Sequence, residues 1–267
     1  MNRHSIINFI YNYDSFFRNN NIDYRKMIQQ GGSSITMEYK DEIFTFDISE
    51  DNDFFFLRTH DGKNDSITFA IDKKSKTVNI NNINADNIQP CFQKITNKKG
   101  TYLLKIGIKF AKKLKNEKII DVNRITLTDH SIKYCSEQKN KRVIFSDLRQ
   151  IISGDTFYGK HGFIPVHKRN IENYNKNKNI LMKLILKDIN FEKYLIEFNK
   201  KNDISENSLN LFIKFIKDNE TMKLGHFFEI LSESFETNCN LIDFLIKRIY
   251  RKYNLETMYG TIYEMLL

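Results

Sequence analysis

TYLLKIGIKFAKKLKNEK, residues 101–118, is the stretch where the chain changes period. Leu103, Leu104, Gly107, Phe110, Ala111 and Leu114 recur at spacings of three and four, with lysines on the opposite side, which predicts an amphipathic helix led by Gly100. Upstream the pattern has period two. SITMEY (34–39), EIFTFDI (42–48), DFFFLRT (53–59), SITFAID (66–72) and KTVNINNI (76–83) carry alternating, β-branched and aromatic residues, separated by KD, SEDN, HDGKN and KKS. Connections this short predict an antiparallel meander, and HDGKN is its clearest turn. Downstream, RITLTD (124–129) reads as a strand that SIKYC (131–135) extends or follows, and Ser146 is placed to cap a short helix, DLRQIIS. Strands followed by a crossover helix and another strand predict an α+β fold.

The flanks are helical. Ile6, Ile7, Ile10, Tyr13 and Phe17 predict an N-terminal helix over 4–18, and a second helical piece runs from Asp23 to Gln30. After a linker at 169–178, IENYNKNKN and its neighbours, four apolar-periodic segments predict an all-α C-terminal module over 179–267. Its expected role is packing or interaction with a partner or a second copy.

The 267 residues carry a formal charge of +9. Residues 97–175 hold 17 Lys/Arg against 7 Asp/Glu, a net +10, so the rest of the chain sums to −1. A local basic excess points to an anionic partner or to a solvated lysine face. Cys91, Cys135 and Cys239 are an odd, widely spaced set, which predicts free thiols and a reducing, cytoplasmic setting. No C-x-x-C or H-x-x-x-H spacing occurs, so no metal site is expected. The N-terminus lacks a signal-peptide pattern, and no apolar run approaches the ~20 residues of a membrane span. Abundant Asn, Lys and Ile resemble A/T-rich coding, which fits a viral or parasitic source.

GDTFYGKHGF (154–163) holds three of the chain's 10 glycines. Its Tyr158-x-x-x-Gly162-Phe163 spacing, placed after this order of strands and helices, resembles the GCN5-related N-acetyltransferase superfamily over residues 1–168. Asn97-Lys98-Lys99-Gly100-Thr101 resembles that family's pyrophosphate loop, although Tyr102 stands where the family has a small residue. The resemblance implies a mixed, mainly antiparallel sheet flanked by helices. It implies acetyl-CoA as cosubstrate, held by Lys98, Lys99, Gly100 and Thr101 at a helix N-terminus. It also implies that the strand of RITLTDHS splays from its neighbour, that a backbone N–H on TVNINN near Val78 and Ile80 polarises the thioester carbonyl, and that Tyr158 protonates the departing thiolate. Asp129, or His130 beside it, is then the expected base for a primary amine. Two alternatives stand beside this expectation: a catalytically silent fold of the same kind that binds or assembles, and, ranked last because no aromatic platform is interleaved with the lysines, a nucleic-acid-binding protein.

Overall fold

The computed structural model of the chain describes residues 33–39, 42–59, 67–83, 99–135, 141–202 and 205–267. The expected helices at 4–18 and 23–30, the HDGKN turn, Cys91 and Lys98 lie outside them. Among the described residues the fold is mixed α+β, with a mainly antiparallel sheet and seven α-helices. The chain divides into two compact units, Met1–Leu127 with Leu266–Leu267, and Thr128–Met265.

In the first unit the period-two segments form the expected meander: β1 (Ser33–Tyr39), β2 (Glu42–Glu50), β3 (Phe54–Thr59), β4 (Ile67–Asp72) and β5 (Thr77–Ile83), each antiparallel to the next. Acidic side chains shape two of the turns. Asp51 Oδ1 accepts the N–H groups of Asp53 and Phe54 at 2.9 and 2.7 Å. Asp72 Oδ1 accepts those of Lys74 and Ser75 at 2.8 and 2.9 Å. A carboxylate that satisfies two backbone donors holds a reversal without help from the core.

Helix α1 (Lys99–Asn116) then crosses over to β6 (Arg124–Thr128), which pairs parallel to β5. The apolar face of α1 is buried as its spacing predicts: Leu103, Leu104, Ile106, Phe110, Ala111 and Leu114 are at most 1% exposed. Each such large side chain withdrawn from water contributes about 1.5–3 kcal/mol. Phe110 packs against Phe46 and Phe69, with ring centroids 4.4 and 5.3 Å apart. Gly100, expected to precede the helix, is its second residue.

The second unit opens with a small hairpin, β7 (Ile132–Tyr134) and β8 (Arg142–Ile144), that leads into α2 (Phe145–Ser153). Strand β9 (Ile164–Pro165) follows, then α3 (Lys168–Leu181), α4 (Phe191–Asn202), α5 (Glu206–Asp218), α6 (Leu224–Glu233), α7 (Phe235–Lys252) and β10 (Ile262–Leu266), which pairs antiparallel with β9. A core of Leu181, Leu186, Phe191, Phe227, Phe228, Ile242, Leu245 and Ile249 binds these helices together. At α6 the backbones come very close: a β-carbon on Gly225 would lie 2.6 Å from the Ile152 carbonyl oxygen in α2.

Several expectations change here. The supposed linker 169–178 is the body of α3, because the buried Asn177 and Leu181 give a weak helix-forming sequence a packed face. The first apolar-periodic segment of the C-terminal module, ILMKLILKDINF (180–191), is not one helix: it is broken by a 3-10 turn at Leu186–Asp188 and a bridge from Ile185 to Lys223. The C-terminal region is not purely helical, since β10 gains its pairing from β9, nearly 100 residues away in sequence. Ser146 is not the cap of α2: Ile144 occupies that position without a side-chain bond, and Ser146 is buried in the first turn. Cys135 and Cys239, expected to be free, are joined in a disulfide across a sequence separation of 104. Two half-cystines that far apart leave no local signature.

Candidate functional site

The motif that drew attention in sequence is a rigid double turn in the second unit. Gly154 ends α2 in a left-handed conformation, φ 75°, and its N–H donates to Gln150 O. Thr156 Oγ1 accepts the N–H of Gly159 at 3.1 Å, starting a 3-10 turn over Gly159–His161 that ends at Gly162, φ 88°. Only glycine adopts these two angles without strain, which is why the stretch spends its glycines there. Between them Tyr158 is held from both sides. Its carbonyl accepts the N–H groups of His161 and Phe163 at 2.9 and 3.2 Å, and its ring sits against Phe157, Phe163 and Tyr263.

Asp129 belongs to the same buried region. Its backbone clamps the segment that leads into β10: the Asp129 N–H donates to Thr261 O at 2.9 Å, and the Gly260 N–H donates to Asp129 O at 2.7 Å. Its Oδ1 accepts from the N–H and the hydroxyl of Ser131, whereas Oδ2 is buried with no hydrogen-bond partner. The carboxyl is fully buried. Burial raises its pKa to about 6, against the opposing hydrogen bonds from Ser131. The Tyr158 phenol is pushed well above its ordinary range, first by burial and then by the negative charge of Asp129. The structure thus brings together Tyr158 and Asp129, 29 residues apart in sequence, as a phenol that stays protonated and a carboxyl that titrates near neutrality.

Sequence reasoning missed a second carboxyl in this region. Asp147, in the first turn of α2, accepts from the Met258 N–H and the Thr257 hydroxyl, both at 3.1 Å. Its pKa is raised to about 7, chiefly by burial and to a lesser degree by the charge of Asp129, against those opposing bonds. Asp147 and Asp129 therefore hold the two ends of one segment, Thr257–Thr261. The available signal was an acid inside an apolar, helix-period stretch, FSDLRQII, where an exposed residue was the default.

The other expected residues lie in the first unit. Gly100 and Thr101 are half-buried in the first turn of α1, which carries no acidic side chain to repel an anion. Val78 and Ile80 are core residues, 0% and 4% exposed. At both, β5 is paired on its two edges, with Ile71 and Phe69 on one side and Ile125 and Leu127 on the other. The parallel pairing stops at Ile80–Leu127, one residue before β6 ends, while β5 runs on to Ile83. At the same point the register with β4 skips Asn81, an exposed bulge residue. Nothing in TVNINN reveals a bulge, because it depends on the partner strand.

Among the described residues no group of His, Cys, Asp and Glu is arranged to hold a metal ion, and no helix is long and apolar enough to cross a membrane. No known protein-family model, no curated protein and no solved structure matches this chain.

Proposed function

We propose that the chain is an N-acyltransferase that moves an acetyl group from acetyl-CoA to a primary amine by direct attack. The observation that carries this reading is the buried pair Asp129 and Tyr158 in the second unit. A carboxyl with one oxygen unpartnered and a pKa near 6 is a better base for an amine proton than an ordinary aspartate, and once that proton neutralises Asp129 the charge that holds the Tyr158 proton is removed, which makes the phenol a better acid for the thiolate. The proton balance closes within the pair. The amine nitrogen forms the new C–N bond and yields its proton to Asp129, the C–S bond breaks, and Tyr158 protonates the sulfur. The proton on Asp129 then restores the phenol. No covalent intermediate on the protein is required.

Two features of the first unit support the same reading independently. The registered pairing of β5 with β6 ends at Ile80 and Leu127, one residue before β6 itself ends, and this is compatible with the splay that the family resemblance implies. The skipped residue Asn81 leaves a backbone group outside the regular ladder in TVNINN, the strand assigned to carbonyl polarisation. Gly100 and Thr101, at the positive end of α1, fit the phosphate-binding role, and Lys98 and Lys99 precede them in sequence.

Calorimetric titration with acetyl-CoA tests the proposal, with Gly100→Glu as the control expected to abolish binding. Tyr158→Phe is expected to lower turnover about 10²-fold with affinity nearly unchanged, a typical cost of losing a general acid. Absence of binding at millimolar acetyl-CoA removes the enzyme and leaves a catalytically silent binding or assembly protein, a role for which the substitution of Tyr102 in the phosphate loop already argues. Binding with an unchanged rate in Tyr158→Phe leaves Tyr158 as a packing residue.

A further inference from the structure

We propose that Tyr263 is a positioning residue of the buried centre: its hydroxyl donates to Asp129 Oδ2, directly or through one water, and carries the proton back from Asp129 to Tyr158. The two oxygens are complementary orphans. Asp129 Oδ2 and the Tyr263 hydroxyl are both shut away from water, and among the described residues neither has a hydrogen-bond partner. One is an acceptor with lone pairs unused, the other a donor with its proton unused. Left apart, each gives up its hydration without return, so buried polar atoms pair with one another or with an ordered water.

The backbone brings the two residues together. The Asp129 N–H donates to Thr261 O at 2.9 Å and its carbonyl accepts from the Gly260 N–H at 2.7 Å, which holds Asp129 beside the chain two residues before Tyr263. Tyr263 is the second residue of β10, paired with Pro165 and 0% exposed. Its ring lies against that of Tyr158, with centroids 5.9 Å apart. The Thr156 side chain is near its hydroxyl but outside hydrogen-bond geometry. Burial holds the Tyr263 phenol well above its ordinary range, and the charges of Asp129 and Asp147 add to that against Thr156. The hydroxyl is therefore within electrostatic reach of both carboxyls. A phenyl ring would fill the same space with no oxygen to satisfy, as the buried Phe163 does on the other side of Tyr158.

The other titratable groups around the pair are Tyr158 in the double turn, Asp147 in α2, Tyr174 in α3 and Tyr250 in α7, and the exposed His130 follows Asp129 in the chain. The phenols all lie above their ordinary range and stay protonated at neutral pH, so Asp147 is the neighbouring carboxyl that titrates. Ser146 Oγ is a further buried orphan, next to Phe145, whose N–H donates to Ser131 O, and it is the competing partner for Asp129.

The relay rests on the acyltransferase reading, whereas the hydrogen bond does not. After the C–S bond breaks, Tyr158 is a phenolate and Asp129 a carboxylic acid. Tyr263 gives its hydroxyl proton to the Tyr158 oxygen and takes up the one on Asp129, so all three groups are restored and no proton is gained or lost.

The test is an NMR titration of the full chain with isotope-labelled aspartate carboxyls, in an Asp147→Asn background that removes the neighbouring titration. Loss of a signal in Asp129→Asn identifies Asp129. Tyr263→Phe keeps the ring, and should keep the near-ultraviolet circular dichroism and raise the Asp129 midpoint by about one pH unit, because the ionised carboxyl loses a donor. By linkage it should also shift the folding equilibrium about tenfold towards the unfolded state at about pH 8 relative to about pH 5. Ser146→Ala should leave the midpoint in place. An unmoved midpoint in Tyr263→Phe, or a shift in Ser146→Ala alone, overturns the hydrogen bond. Where the wild type turns over acetyl-CoA, Tyr263→Phe should lower kcat at least about tenfold with KM unchanged, and an equal kcat overturns the relay. A wild type that does not turn over acetyl-CoA removes the acyltransferase and the relay with it, and the titration still decides the hydrogen bond.

Discussion

Breaking the Cys135–Cys239 disulfide should cost the second unit most of its margin of stability. The bond closes a loop with a sequence separation of 104. A cross-link over about 100 residues removes enough denatured-state entropy to stabilise the fold by about 4.7 kcal/mol, a large share of the about 5–15 kcal/mol of a typical domain. Both sulfurs are buried, at 3% and 1% residue exposure, in the core that also holds Leu148, Phe235 and Ile242. The hairpin tied down by Cys135 leads directly from Asp129 to Asp147, so the loss should loosen the polar centre as well. The perturbation is Cys135→Ala/Cys239→Ala, measured by thermal and urea melts against the wild type refolded with and without a dithiol reductant. At about 2–4 °C per kcal/mol for a unit of this size, the oxidised protein should melt roughly 9–19 °C higher than the double variant. Reductant should bring the wild type down to the variant and leave the variant unmoved. Thiol titration must show that the cysteines are freed. If free thiols appear and the melt does not shift, the chain-entropy argument is wrong for this protein.

Three further outcomes are expected. Asp147 and Asp129 have folded pKa values raised above 3.8, to about 7 and about 6, so the folded state binds extra protons between those limits. That contribution is fully present below about pH 4 and is lost as pH rises towards 7. Asp147→Asn keeps the acceptor for Met258 and Thr257 and removes the buried charge. It should stabilise the protein at pH 8 by a few kcal/mol and flatten the pH dependence of chemical denaturation between 5 and 8, whereas an equal pH dependence in both proteins refutes the assignment. Gly225→Ala puts a methyl group 2.6 Å from the Ile152 carbonyl oxygen, between two backbones that cannot give way separately. It should cost about 1–3 kcal/mol in urea denaturation, and a neutral result would mean that α6 and α2 are not packed this closely. Phe110→Ala, which empties the space between Phe46 and Phe69, should cost about 3–5 kcal/mol by the same measurement.

The strands and the crossover helix were legible from residue pattern because their causes are local. A half-buried strand must alternate, and a helix lying on a sheet must repeat its apolar residues every three or four positions, so β1 to β6 and α1 fall where their residues place them. The glycine cluster around Tyr158 was visible in sequence as a turn, but the left-handed angles at Gly154 and Gly162 came only with the structure. Asp129 was legible only as a polar residue at a strand end.

What gives Asp129 a pKa near 6 is burial beside the segment leading into β10, more than 130 residues further on, and no local pattern encodes that. The same holds for Asp147, whose partners Thr257 and Met258 lie 110 and 111 residues away. Asn81 becomes a bulge only through the register of β4, and Cys135 finds Cys239 only because the β7–β8 hairpin packs against α7. Sequence by itself determined the elements, through propensity and periodicity that act over a few residues. Tertiary structure alone decided which polar groups are shut away from water together, because desolvation and pairing depend on neighbours in space.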